Sequence, residues 1–177
     1  MRDKYWAMYH QMKFSEYYYS HYLSLTVVID RCISAFTCLV SAAGVASWWI
    51  WKSLGVAWAV LVGVSQAISA IRHLLPYSKR MTSLGFLTPA MSQLLNEISR
   101  DWSRIDYSSE AVSNDEIINL IYEYECRYAG LLSKHLGAAS LPDNKYCIRK
   151  AADDQKSYFR QRYGLNFKTT TDSEVIV

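Results

Sequence analysis

Two stretches of this chain, residues 32–51 and 53–71, hold no Asp, Glu, Lys or Arg and are separated only by Lys52. About 20 helical residues rising about 1.5 Å each cover the roughly 30 Å hydrocarbon core of a bilayer. Each stretch is therefore long enough to cross a membrane, and the pair predicts a transmembrane hairpin with almost no turn. The first is too long for a signal-peptide core, and no basic region with a small-residue cleavage site precedes it, so it reads as a retained anchor.

On either side the pattern changes. Residues 1–31 carry Tyr5, Trp6, Tyr9, Phe14, Tyr17, Tyr18, Tyr19 and Tyr22 with no Gly or Pro. This predicts an N-terminal aromatic, interfacial helix running into the first span, its rings at headgroup level or packed beside the membrane. Stacking of nucleobases is the other use such rings find.

Residues 72–165 predict a cytosolic helical region. Pro76 and Pro89 punctuate its start, and Thr88-Pro89 has the form of an N-cap followed by a first-turn proline. Met91, Leu94, Leu95, Ile98, Trp102 and Ile105 then form one apolar stripe. Ser113-Asn114-Asp115-Glu116 reads as a capping box. Behind it Ile117, Ile121, Tyr124, Tyr128, Leu131 and Leu132 line one side until Gly137, and a last helix is expected from near Asp143 to near Gly164. Residues 166–177 lack any core-forming pattern and predict a mobile tail. With no strand alternation and no internal repeat, the expected fold class is an all-α membrane protein.

Charge sets the expected orientation. Lys13 and Arg31 precede the first span, Arg72, Lys79 and Arg80 follow the second, and the turn holds Lys52 alone, so both termini are expected in the cytoplasm. Trp48, Trp49, Trp51 and Trp58 bracket the turn, where the outer interface would keep their N–H groups wet. Cys32, Cys38, Cys126 and Cys147 have no ligand-like spacing, so reduced thiols and no metal site are expected. A net charge of +3 is too mild for a duplex nucleic-acid partner.

On a helical wheel Ser34, Thr37 and Ser41 share a face of the first span with Cys38 and Gly44. Gly55, Ala59, Gly63, Gln66 and Ala67 cluster on the second, with Ser65 and Ser69 beside them. Small residues at four-residue spacing let helices approach closely, which makes Gly55, Ala59, Gly63 and Ala67 the packing candidates. Gln66, Ser65, Ser69, Ser34, Thr37 and Ser41 are candidates to line a hydrated path, although Ser and Thr can also bond their own helix backbone. Two spans cannot enclose a pore, so such a path needs a homo-oligomer of roughly four or more chains with closed symmetry. No filter-like segment occurs, so any pore should select poorly.

No P-loop, H-E-x-x-H, G-x-S-x-G or G-x-G-x-x-G motif is present, and His10, His21, His73 and His135 have no evident carboxylate or cysteine companions. No catalytic residue, cofactor or enzyme activity is expected. Lys145, Arg149, Lys156 and Arg160 fall near one face of the last helix, with Asp153 among them. That face is either solvated surface or a holder for the phosphates of an anionic ligand.

The aromatic N-terminal helix, the two-span segment VVIDRCISAFTCLVSAAGVASWWIWKSLGVAWAVLVGVSQAISAIRHL and the helical cytosolic region together resemble the SLATT family of two-transmembrane effectors over residues 1–165. The resemblance is architectural and carries no residue role across. It implies an oligomeric effector in the bacterial inner membrane, controlled by a cyclic or oligomeric nucleotide from a partner nucleotidyltransferase. Such an effector depolarises the membrane in antiphage defence. The residues alone leave two other classes open: a membrane-anchored binding or scaffold protein, and a small channel or transport subunit unrelated to defence.

Overall fold

The first glycine of the chain is Gly44 and the first proline Pro76, so nothing before them breaks a helix. In a computed structural model that describes residues 1–50, 55–74, 77–107, 112–137 and 141–164, α1 (Arg2–Ile50) accordingly runs unbroken for 49 residues, a rod of roughly 74 Å. Its hydroxyl side chains bond back onto the helix itself. Ser15, Thr26, Ser34 and Thr37 each donate to a carbonyl one turn back, on Gln11, Tyr22, Asp30 and Ile33.

Four further helices follow, α2 (Gly55–Leu74), α3 (Tyr77–Tyr107), α4 (Asn114–Leu136) and α5 (Lys145–Tyr163), and no strand occurs among the described residues. The fold is all-helical. Every other helix packs on α1. With 20 and 31 residues, α2 and α3 in succession retrace the 49 of α1 in the opposite sense. Thus Leu84 and Leu87 of α3 pack near Tyr22 and Leu23, while the Tyr5 hydroxyl donates to the Ile98 carbonyl at 3.1 Å. α4 runs antiparallel to α3, and α5 antiparallel to α1.

The apolar stripe expected on α3 forms the core: Met91, Leu94, Leu95, Ile98, Trp102 and Ile105 are all buried. Met91 joins Leu84 and Leu87, and the others meet Tyr5, Met8, Tyr9 and Met12 of α1, Ile117 and Tyr124 of α4, and Phe159 of α5. Tyr5 stacks on Trp102 (centroids 5.9 Å apart) and meets Tyr124 edge-on at 6.4 Å. Aromatic pairs of this kind add about 0.5–1.5 kcal/mol beyond the area they bury. Burial raises the pKa of both Tyr5 and Tyr9, so each phenol stays neutral.

Several expectations change. Tyr5 and Tyr9 are fully buried in protein and do not lie at a headgroup interface. α3 does not begin at Thr88-Pro89 but passes through Pro89, and the Thr88 hydroxyl donates to the Leu84 carbonyl instead of capping a helix start. Pro89 removes the helical donor to the Gly85 carbonyl, but Gly85 is exposed to water. Burial of Leu84 and Leu87 on α1 holds the extra turns together. Ser113 does cap α4, accepting from the Asp115 N–H, but the Glu116 carboxylate pairs with Arg104 of α3 in place of closing a box. α5 is capped by Asn144 and ended by Gly164 in the left-handed region, as Gly137 at φ 58° ends α4. The tail 166–177, Lys52 and Ser53 of the turn, and Pro76 lie outside the described residues.

Candidate functional site

Two regions carry the chemistry singled out in the sequence: the apolar half of α1 with α2, and the outward face of α5. One helix, within Arg2–Val40, is long and apolar enough to cross a membrane, and Ala59–Ile68 forms a shorter apolar helix among the described residues. The apolar side chains there point outward. Val28 is 55% exposed, Leu39 70% and Val56 82%, with Ile29, Phe36, Val60 and Val64 also exposed. Water-soluble monomers rarely leave such a continuous belt uncovered.

Within α1 and α2, Val40 and Ser65 are buried, whereas Ala59, Gly63, Gln66 and Ala67 are exposed. The structure thus separates Ser65 from Gln66. The small-residue face of α2 does not pack on α1 within one chain, and a Cβ added at Gly63 would meet nothing within 4 Å. Ser34 and Thr37 are half-buried and spend their hydroxyls on their own helix, Thr37 reaching the Ser34 carbonyl as well. The side chains of Ser41, Gly55 and Ser69 lie outside the described residues.

Lys145, Arg149, Lys156 and Arg160 are brought to one exposed face of α5, and none joins an ion pair among the described residues. The face is convex. Behind it, α5 is fixed to α1 by Phe159, which stacks on His10 (3.8 Å, 9° between planes), and by a Tyr9–Tyr158 hydroxyl contact of 2.9 Å. Burial lowers the pKa of His10 and keeps its ring neutral at the Phe159 face. The Gln155 amide donates to the His10 carbonyl at 2.6 Å.

Two pairings escaped the sequence. His21 has a carboxylate companion after all, Asp154, at 2.7 Å across 133 residues of chain, a separation no local spacing rule detects. Lys13 and Glu16 form a largely buried ion pair, with the ammonium 4.4 Å from the Tyr158 ring centre and 4.9 Å from that of Tyr17. Their i,i+3 spacing inside an aromatic run was the available signal. Beside them an open cleft of about 480 Å³ between α1 and α3 is walled by Glu16, Tyr17, Ser20, Ser92, Gln93 and Asn96. No metal-ready cluster of His, Cys, Asp or Glu occurs among the described residues. Family models, curated proteins and solved structures yield no match to the chain, so its function must be read from these residues.

Proposed function

We propose that the chain is one subunit of an oligomeric pore in the bacterial inner membrane, an effector that depolarises the cell in antiphage defence under control of a nucleotide second messenger. In this reading α1 and α2 cross the bilayer as a hairpin with both termini cytoplasmic, and four or more copies close around a hydrated path. The observation that carries it is the outward apolar belt on the second half of α1 and on α2, rigidly continuous with a polar helical bundle. Lipid would cover the apolar part of that belt. The small face of α2 with Gln66, left uncovered within the chain, is where neighbouring hairpins would meet, because a lipid-facing amide is costly without partners. Lys145 and Arg149 offer an anionic nucleotide its first charges.

A tethered, non-conducting scaffold is the second reading. It is favoured by the self-bonded Ser34 and Thr37 hydroxyls, which need no water path. Current across planar bilayers holding purified protein separates the two. Weakly selective conductance that changes when a cyclic nucleotide is added supports the pore; silence from protein shown to be inserted and oligomeric supports the scaffold.

A further inference from the structure

The two outer helices of the bundle carry opposite charge. α4 holds four carboxylates against two Lys and Arg, and α5 six Lys and Arg against two carboxylates. They flank α1 and α3 without packing appreciably on each other, so the charges of α4 and α5 do not neutralise one another. On α4, Glu116 turns to Arg104 of α3, leaving a second flank where Tyr122 is 70% exposed and Ile118 41%, with Glu125 beside them. An exposed Tyr and Ile next to a carboxylate is the composition of an interface core awaiting a cation, since Tyr and Arg dominate such contacts.

The heights match as well. Tyr124 meets Tyr5 of the spine, and Phe159 meets Trp6 and Tyr9. Glu125 and Arg160, the next residues along each helix, therefore stand at about the same level of α1 on different flanks. Copies arranged side by side with their α1 spines parallel, as a common membrane demands, would bring those levels together.

We infer that a second copy of this chain seats Arg160 of its α5 on Glu125 of α4, head to tail, with Tyr122 about a turn to one side of that pair and Lys156 about a turn to the other. The inference rests on the oligomeric reading above. Such a contact is heterologous, so it closes into a ring when the rotation permits, which is the symmetry a pore needs. α5 runs along α1, and Lys145 to Arg160 rises about 22 Å along that spine; a sheet of lipid headgroups perpendicular to the spine could not touch the whole face.

The test uses full-length protein in detergent and in liposomes, with oligomer mass read by native mass spectrometry. Arg160→Glu or Glu125→Arg alone should lower the assembled fraction at least tenfold, with helix content by circular dichroism unchanged, and the double reversal should restore it. Arg160→Cys, placed opposite the native Cys126, should form a ladder of disulfide-linked multimers absent from the parent protein when an added copper–phenanthroline oxidant takes up the two electrons of each bond. A parent that is monomeric would remove the oligomeric reading and this inference with it. An oligomeric parent indifferent to both reversals overturns the inference alone, as does weakened assembly without rescue, or covalent dimers without higher steps. Intact assembly with lost binding to anionic vesicles would assign the face to lipid and overturn it too.

Discussion

Phe159→Ala would remove the ring that joins α5 to the spine. The side chain is fully buried and stacked on His10, with Trp6, Tyr9 and Tyr158 edge-on around it. Truncating such a residue costs about 3–5 kcal/mol in transfer and cavity terms. The chain carries its own probe of that loss. Cys147 lies fully buried on α5 twelve residues away, its thiol pushed up in pKa by burial, while Cys32, Cys38 and Cys126 are exposed. A thiol-specific reagent should modify Cys126 of the polar bundle quickly and Cys147 only when α5 lifts. Where lifting and reseating are fast, the rate follows the open population, so Phe159→Ala should accelerate Cys147 labelling by about two to three and a half powers of ten. Phe159→Leu should accelerate it much less. Labelling of Cys147 as fast as Cys126 in the parent protein, or an unchanged rate in Phe159→Ala, would refute the docking of α5 described above.

Burial holds the His10 pKa below its ordinary value, so the unfolded chain takes up a proton near about pH 6.5 that the folded bundle refuses. Stability is then full above that pH and is lost as pH falls toward the folded value. Cys147 labelling, normalised to Cys126, should rise from about pH 7.5 to about pH 5, and a slope equally steep in His10→Phe would assign it elsewhere. A Cβ added at Gly63 meets nothing within 4 Å, so Gly63→Leu should leave helix content intact and still dissociate the proposed oligomer; unaltered mass would exclude this face from the assembly. A cysteine at Ser53 should react with an impermeant reagent from outside the cell while probes near either terminus do not, and the opposite pattern would invert the topology.

Local and medium-range features were legible in the chain. The α3 stripe, the ends of α4 at Ser113 and Gly137, and the last helix ending at Gly164 follow from periodicity and capping, and all stand in the structure. What escaped was set by tertiary contact. Pro89 signals a helix start, yet Leu84 and Leu87 bury on α1 and carry the helix through it. Tyr5 and Tyr9 suit an interface as well as a core, and only the arrival of Ile98, Trp102 and Tyr124 decides between them. The α5 cations were readable as a face, but not the level at which they stand relative to Glu125, because that depends on which ring of α1 each helix meets.

One helix therefore sets two geometries at once. α1 has no glycine or proline before Gly44, so over that stretch it lacks the residues at which helices most often bend sharply. Its first half fixes the heights of α3, α4 and α5 through Tyr5, Trp6 and Tyr9, and its second half presents Val28, Phe36 and Leu39 outward. A contact between bundles that rotates one spine must rotate the apolar face of the same helix by nearly the same angle. Coupling between an event at the bundle and the apolar half of α1 then needs no relay of side chains, because the element that differs between two arrangements is continuous through both regions.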